Sequence, residues 1–301
     1  MSLRLIALDL WLRSTMKRRL ATASVPDARA QMERDAALLP RPPGAVWREA
    51  AVAGISAWRL DPGPAAVPDA GLLLWLHGGA YCLGSPATHA SMVATLALAA
   101  GTGAVLPDYR LAPEAPFPAA IEDASAVWRA LRAEGWPAER IVLGGDSAGG
   151  GLVFALLHEI IASGDRPPAG VVAFSPWTDL TLSGASLRRL AWRDALLPAR
   201  RIGEVCELYL AGADPTDPRA SPIRGHFAGA GPVLIQASTA EILLDDARGM
   251  AERLRADGVT VELDLWRGLP HVWQGFVGVL PEAEAALARA AHFVSSRLNK
   301  P

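Results

Sequence analysis

Residues 143–152, LGGDSAGGGL, place a single serine between glycines directly after the apolar triplet at 141–143. Glycine serves a backbone that must turn sharply or let another group come close. A helical pattern follows over residues 150–161, so the serine stands between a strand and a helix. This is the setting of a nucleophile elbow, in which small neighbours permit a strained turn that exposes the serine hydroxyl. The stretch therefore predicts Ser147 as a nucleophile.

Other meanings of a glycine-rich turn have to be weighed against the elbow. Gly-Ser runs are common in loops, and the short elbow pattern also occurs by chance. A phosphate-binding loop would need Lys after its last glycine, and none is present. The dinucleotide fingerprint Gly-x-Gly-x-x-Gly is not matched either. The strand before the serine and the helix after it favour the elbow.

Short apolar strands alternate with helical patterns beyond the breaker at residues 40–44. Strands that are buried on both faces and followed by helices predict a mostly parallel sheet with helices on both faces. The region at about 180–224 interrupts this alternation and predicts an insertion over one end of the sheet. The predicted strands are 72–76, 104–106, 141–143, 171–174, 233–235 and the alternating run 259–265, and the main predicted helices are 121–133, 150–161, 243–256 and 282–298.

Two further helices are predicted before the breaker. The helical spacing of Leu5, Leu8, Leu12 and Met16, with basic residues between them, predicts an amphipathic helix. A second helical stretch covers about residues 27–38. A helix lying on a membrane surface is one alternative for the first of these.

A serine nucleophile needs a base within hydrogen-bond reach and an acid that orients the base, in the chain order Ser, acid, His for this kind of sheet. Of six histidines, His271 stands in the loop after the alternating strand, where a base can reach the carboxyl edge of the sheet. The loop after strand 233–235 offers Glu241, Asp245 and Asp246 as the acid. Position favours Glu241, which lies nearest the sheet, with Asp245 as its competitor.

Acyl chemistry also needs donors for a developing oxyanion. The segment HGGAY, residues 77–81, directly follows the predicted strand 72–76. Two glycines there let the backbone approach a substrate oxygen with bare N–H groups. The predicted donors are the N–H groups of Gly78, Gly79 and Ala148, and a plain glycine turn is the alternative.

Together these motifs resemble the hormone-sensitive lipase family of esterases, within the α/β-hydrolase fold, and they follow the order of that family from about residue 70 to 276. Ala80 departs from the family by standing where a third glycine is usual. Glu241 takes the position of the catalytic acid in the family's Asp-Pro-Leu-x-Asp motif. We expect Tyr81, Asp146 and Trp177 in the substrate pocket. The matching segments are HGGAY, DYRLAPEAPFPAAIEDA from Asp108, GDSAGG, SPWTDL from Ser175, DPRASPI from Asp217, EILLDD and GLPHVWQGF.

The resemblance also implies a helical cap over the site. Its parts would be residues 1–43 and the insertion at about 180–224, with residues 44–301 forming the catalytic domain. The N-terminal amphipathic helix then belongs to the cap. Family habit further implies a homodimer through a sheet edge or the C-terminal helix, and neither a metal nor an organic cofactor.

The composition of the chain limits which partners and which cellular compartment we expect for the protein. The 301 residues are 51% hydrophobic and carry a formal net charge of −2, which gives no electrostatic reason to expect a nucleic acid partner. Cys82 and Cys206 are too few for a disulfide framework and suit the cytoplasm. No apolar run has the length of a membrane span. Asp9 and the basic run 17–19 argue against a signal peptide.

We therefore expect a serine carboxylesterase that hydrolyses short-chain acyl esters of small molecules through Ser147, His271 and Glu241. Lactonase or amidase activity would be a variant of the same chemistry. A non-catalytic small-molecule receptor on the same fold is the alternative from another class. Receptors of that kind have lost the catalytic histidine, so the presence of His271 argues against it.

Overall fold

A computed structural model describes residues 2–61 and 71–298 of the chain. Within these residues eight strands form one sheet: β1 (Trp47–Val52), β2 (Ile55–Leu60), β3 (Leu72–Leu76), β4 (Gly103–Pro107), β5 (Ile141–Asp146), β6 (Gly170–Phe174), β7 (Val233–Ser238) and β8 (Val261–Trp266). Their spatial order is β1-β2-β4-β3-β5-β6-β7-β8. The strands from β3 to β8 pair in parallel, whereas β2 pairs antiparallel with β1 and β4.

Helices follow most of the strands along the chain. The α-helices of the described residues are α1 (Leu3–Trp11), α2 (Lys17–Leu20), α3 (Val25–Ala36), α4 (Pro86–Ala100), α5 (Ala119–Ala133), α6 (Ser147–Ala162), α7 (Ser186–Arg189), α8 (Ile202–Leu210), α9 (Leu244–Ala256) and α10 (Pro281–Leu298). A π-helical stretch, Leu12–Met16, joins α1 to α2. Short 3-10 turns cover Ala138–Arg140, Ala199–Arg201, Pro222–Arg224 and Trp273–Phe276.

The sheet is buried between two helical layers because successive strand side chains point to opposite faces. Leu72, Leu74 and Leu76 of β3 pack in one core with α5, α6 and α9. Leu73 and Trp75 of the same strand pack in the other core with α4 and α10. The predicted α/β-hydrolase fold, with a mostly parallel sheet and helices on both faces, is confirmed.

The hairpin of β1 and β2 extends the sheet beyond the strands that were predicted. β1 reads WREAAV and leaves most of its residues at least partly exposed, so it lacks the apolar run that marks a buried strand. Ala53 and Gly54, with φ of 54° and 78°, make the two-residue turn of this hairpin. A two-residue turn with positive φ at both positions matches the twist of paired strands.

Some element boundaries differ from the predictions. α6 begins at Ser147 rather than at residue 150, and β8 begins at Val261, two residues after the predicted start. α3 runs from Val25 to Ala36 because Ser24 caps it by accepting a hydrogen bond from Asp27 N. α4 escaped prediction because most of its residues are buried, which leaves no polar face to reveal a helical period.

The N-terminal helices lie against the insertion. Lys17 Nζ donates hydrogen bonds to Ala191 O at 2.8 Å and to Asp194 O at 2.6 Å. In the other direction, Arg201 Nη1 of the insertion donates to Ala23 O at 2.7 Å. The two parts of the predicted cap are therefore bonded to each other through long cationic side chains and backbone carbonyls.

The division into a cap (residues 1–43 and about 180–224) and a catalytic domain (residues 44–301) stays a prediction. Met1 and residues 62–70 and 299–301, which belong to those predicted domains, lie outside the described residues. No helix among the described residues is long and apolar enough to cross a membrane. β1 and β8 form the two edges of the sheet, and the homodimer through such an edge stays a prediction.

Candidate active site

The predicted elbow is a sharp turn between β5 and α6. Ser147 has a φ of 52°, in the left-handed region that side chains rarely adopt. The flanking glycines are needed because the backbone comes so close to its neighbours. A Cβ added to Gly149 would lie 2.0 Å from Leu76 O, and one added to Gly145 would lie 2.5 Å from Gly149 O. The glycines allow the turn that holds Ser147 at the end of the strand.

Ser147, His271 and Glu241 form one chain of hydrogen bonds. His271 Nε2 lies 2.9 Å from Ser147 Oγ. His271 Nδ1 lies 2.5 Å from Glu241 Oε2. Ser147 is 9% exposed, His271 is 3% exposed and Glu241 is fully buried. Ser147 follows β5, Glu241 follows β7 and His271 follows β8. In the sheet, β7 and β8 are adjacent and β6 separates them from β5, so the three side chains meet at the carboxyl edge.

Two residues that sequence reasoning missed hold Glu241 in place. Ser238 N donates to Glu241 Oε1 at 2.7 Å, and the Ser238 hydroxyl donates to Leu269 O at 2.6 Å, which ties the acid loop to the histidine loop. Asp194 of the insertion accepts a hydrogen bond from Ile242 N at 2.9 Å, one residue after Glu241. The only feature of the sequence that could have pointed to Ser238 is that it is a polar residue at the end of a predicted strand.

The competing acids face away from His271. Asp245 Oδ2 accepts a hydrogen bond from Ser186 N at 2.8 Å, and its Oδ1 lies 3.5 Å from Arg189 Nη2. Asp246 accepts hydrogen bonds from the N–H groups of Thr178 and Asp179, and burial raises the pKa of Asp246 to about 8. The two carboxyl groups therefore connect α9 to the insertion and to the residues directly before it.

The surroundings of His271 favour its protonated form. Burial alone would lower the pKa of His271, but the hydrogen bond and charge of Glu241 raise it. The charges of Asp194 and Asp146 act in the same direction, and the pKa of His271 ends above the ordinary value of 6.5. The carboxylate of Glu241 therefore stabilises the protonated imidazole, which makes His271 a stronger base than an isolated histidine.

The predicted oxyanion donors need one correction. Gly78 is not among the residues that the structure places in the cavity lining, and its N–H is directed at the buried ring of His89, with 3.3 Å between Gly78 N and His89 Nε2. The prediction of Gly78 as an oxyanion donor is therefore wrong, because a buried side chain stands where the substrate oxygen would have to be. Gly79 and Ala80 both line the cavity above Ser147. Ala148 is the second residue of α6, and the first N–H groups of a helix have no acceptor within the helix.

Asp146 braces the loop behind these donors. Its Oδ1 accepts a hydrogen bond from Trp75 Nε1 at 3.0 Å, and its Oδ2 lies 3.2 Å from His89 Nε2. Burial would raise the pKa of Asp146, yet the charge of His89 and the two hydrogen bonds hold it below its ordinary value. His77 stays neutral, because burial and the neighbouring His89 lower its pKa to about 3. His89 was not among the predicted site residues. It lies on α4, a helix that was not predicted.

A cavity of about 730 Å³ opens above Ser147 and His271. Asp146 and Trp177, which were expected in the pocket, are among its lining residues. Tyr81 is not: it is buried beneath the loop with its ring stacked on Tyr209, 3.8 Å between ring centres. Much of the lining is apolar and comes from both parts of the predicted cap, including Leu8, Trp11, Met16, Leu197, Ile202 and Val205.

The described residues present no group of three or more His, Cys, Asp or Glu that could hold a metal ion. Cys82 and Cys206 are both buried free thiols.

Comparisons with known proteins identify the family to which the chain belongs. Residues 73–275 match the family model described as the α/β hydrolase fold. An acetyl-hydrolase from Streptomyces hygroscopicus is 42% identical over 226 residues, covering 75% of this chain and 76% of the relative. An esterase from Acinetobacter venetianus is 37% identical over 226 residues, covering 75% of each chain. The crystal structure of an esterase from the bacterial hormone-sensitive lipase family superposes with a TM-score of 0.93 at 38% identity, covering 99% of both chains.

The chain therefore belongs to the α/β hydrolase family and, within it, to the hormone-sensitive lipase family of carboxylic ester hydrolases. This confirms the family resemblance, the fold and the enzyme class that were predicted.

Proposed function

We propose that the chain is a serine carboxylesterase with Ser147 as nucleophile, His271 as general base and Glu241 as the acid that orients the base. One observation carries this proposal: the unbroken hydrogen-bond chain from Ser147 Oγ through His271 to Glu241. His271 takes the proton of the Ser147 hydroxyl as the oxygen attacks the ester carbonyl. Glu241 stabilises the imidazolium that forms and does not itself take the proton.

The negative charge of the tetrahedral intermediate would be met by backbone N–H groups. Gly79 and Ala148 keep their predicted role, and Ala80 replaces Gly78 because it lines the cavity beside Ser147. Each such donor contributes about 3 kcal/mol to transition-state stabilisation in related acyl-transfer sites. Ala80 and Tyr81 both have positive φ, so the backbone turns sharply directly after Gly79.

Collapse of the intermediate expels the alcohol, which takes its proton from His271 and leaves Ser147 acylated. A water molecule then attacks the acyl carbonyl while His271 accepts its proton. The carboxylic acid leaves as the Ser147 oxygen regains a proton from His271. The same base therefore serves both halves of the reaction.

Short acyl esters are the proposed substrates. The cavity of about 730 Å³ is lined in large part by the N-terminal helices and the insertion and is mostly apolar, which suits a small apolar ester. The acetyl-hydrolase name of the Streptomyces relative supports the same choice. The maximum of kcat/KM across p-nitrophenyl esters of graded chain length should fall among the short acyl groups. A maximum at long, emulsified substrates would contradict this.

The nucleophile is tested by replacing Ser147 with Ala. The folded variant should lose about 10⁶-fold in kcat, because loss of a triad member leaves only binding and the oxyanion donors. Hydrolysis of p-nitrophenyl acetate measures the loss, and circular dichroism checks the fold. Ser183→Ala is a matched control, since Ser183 lies in the insertion and bonds to Asp179. Activity near that of the wild type in a folded Ser147→Ala protein would overturn the proposal.

A further inference from the structure

The helix α1 is apolar on both sides. Leu5 and Leu12 are buried against the protein, as in any helix that packs on a core. Leu3, Ile6 and Leu10 lie on the opposite side, at helical spacings of three and four residues, and are 85%, 41% and 63% exposed. A helix on a protein surface ordinarily presents charged or polar residues on that side.

Trp192 of the insertion adds a large exposed side chain beside this helix. It is 71% exposed. Its carbonyl oxygen accepts a hydrogen bond from Arg13 Nη1 at 2.7 Å, which places it next to the end of α1. Tryptophan is enriched where proteins meet the boundary between lipid and water. We name Leu3, Ile6, Leu10 and Trp192 the outer patch.

Positive charge is concentrated around the outer patch. Residues 1–20 and 186–201 together carry ten of the 29 Lys and Arg of the chain and only two of its 31 Asp and Glu. Of those two acids, Asp9 is paired with Arg13 and Asp194 is buried. The exposed cations near the patch include Arg4, Arg18, Arg19, Arg188 and Arg193. The remainder of the chain is net acidic. Two of the ten cations, Arg189 and Arg201, are paired with Asp245 and Glu204. Arg4 lies on α1 itself and Arg193 lies over the ring of Trp192, so exposed positive charge adjoins the outer patch.

We propose that the outer patch docks on an anionic lipid surface. Its apolar side chains enter the boundary between headgroups and acyl chains, and the surrounding Arg and Lys side chains meet lipid phosphates. A second copy of the chain is a poorer occupant, because two such faces in contact would bring like charges together. Docking would also place the cavity beside the lipid, since Leu8 and Trp11 of the same helix line it.

The test is sedimentation with vesicles. Wild type should pellet with vesicles of phosphatidylglycerol and phosphatidylcholine, and less with phosphatidylcholine alone. The variant Leu3→Ser/Ile6→Ser/Leu10→Ser should bind about tenfold more weakly while hydrolysing soluble p-nitrophenyl acetate at the wild-type rate, which shows that it is folded. Ser147→Ala should pellet like the wild type, because docking does not depend on the proposed triad.

A pair of charge-reversing substitutions tests the electrostatic contribution to vesicle binding separately from the apolar contribution. Arg18→Glu/Arg19→Glu should weaken binding to the anionic vesicles, and raising the salt concentration should weaken the wild type in the same way. The matched control is Arg129→Glu/Arg255→Glu, on exposed positions of α5 and α9, which should bind like the wild type.

Three results would overturn the proposal. The active wild type could fail to pellet with anionic vesicles, or the triple serine variant could pellet equally well. Light scattering could instead show a wild-type dimer that the triple serine variant converts to a monomer, in which case a second copy covers the patch. A wild type that pellets but hydrolyses no ester would contradict the proposed function and leave the docking proposal standing.

Discussion

The carboxyl edge of the sheet and the segments that cover it are held by different kinds of contact. At the edge, Gly145 and Gly149 are packed so closely against backbone carbonyls that a Cβ at either would lie within 2.5 Å of an oxygen. Above it, Lys17 Nζ reaches Asp194 O at 2.6 Å, and Arg29 Nε of α3 reaches Cys82 O at 2.6 Å. The edge is held by close backbone packing. The N-terminal helices are tied to the insertion and to the loop after β3 by the tips of long cationic side chains, whereas the insertion also packs in the core through Leu187 and Tyr209.

The difference follows from what each region has to do. A nucleophile and its base must stay within a fraction of an ångström of the productive geometry, which rigid elements provide best. A cavity that is covered on most sides must still admit an ester and release two products. Contacts made by long cationic side chains can break and re-form without disturbing the sheet beneath. Substitutions at the edge should therefore have large effects on activity, and substitutions in the covering segments should have small ones.

After Ser147→Ala, the largest effect is expected for Glu241→Gln. Ser238 N requires an oxygen at one end of this side chain, so the amide nitrogen of Gln would face His271 Nδ1. The imidazole would then carry its proton on Nε2, toward Ser147, where it cannot act as a base. We expect kcat to fall about 10³- to 10⁴-fold with little change in substrate binding.

Asp245→Asn is the matched control for Glu241→Gln, and it should change kcat by no more than about twofold. Both variants are assayed on one ester after circular dichroism. If Asp245→Asn is the more damaging of the two, the acid of the triad is Asp245.

The pH profile gives a second test at the edge. His271 acts as a base only when neutral, and its pKa is raised above 6.5. Activity should therefore fall as the pH drops through a value above 6.5, which the acid limb of kcat/KM against pH measures. In Glu241→Gln the raising charge is gone while burial still lowers the pKa of His271, so the acid limb should move to lower pH. A limb that stays in place or moves up would contradict the assignment of Glu241.

The smallest effect is expected for Lys17→Met in the covering segments. The variant loses two hydrogen bonds to the insertion, at a cost of about 1 kcal/mol, which corresponds to about 1.5 °C in Tm for a chain of 301 residues. KM should change more than kcat, because the cavity lining moves while the triad does not. Arg18→Met is the control, since Arg18 is exposed one residue away. A loss of kcat comparable to that of Glu241→Gln would show that the two regions are not independent.

The elbow and the base could be predicted because local rules are enough for them. A glycine-flanked serine between a buried strand and a helix defines the turn, and a histidine just after a parallel strand has to lie at the same edge as the serine. In the sequence, the choice between Glu241 and Asp245 rested on position in the loop and on the family's acid motif. In the folded chain the hydrogen bond from Ser186 N draws Asp245 toward α7 instead.

The errors came from contacts between distant segments. The N–H of Gly78 looks free in the sequence, but in the folded chain it is directed at the buried ring of His89. His89 comes from α4, an apolar helix without a visible period. Tyr81 sits inside the HGGAY motif, yet the positive φ of Ala80 and Tyr81 turns its ring under the loop onto Tyr209 of the insertion. Neither partner could be identified from local pattern.

Residue order was enough to predict the six parallel strands, the elbow and the proposed pair of Ser147 and His271, because strand periodicity and glycine sterics act over a few residues. Other features depend on which segments meet in space. These are the direction of single N–H groups, the distance of Asp245 from His271 and the exposure of the outer side of α1. Leu3 and Leu5 look alike in the sequence, two positions apart on one helix. Packing against the protein buries Leu5 to 2% exposure and leaves Leu3 at 85%, because only one side of the helix finds a partner.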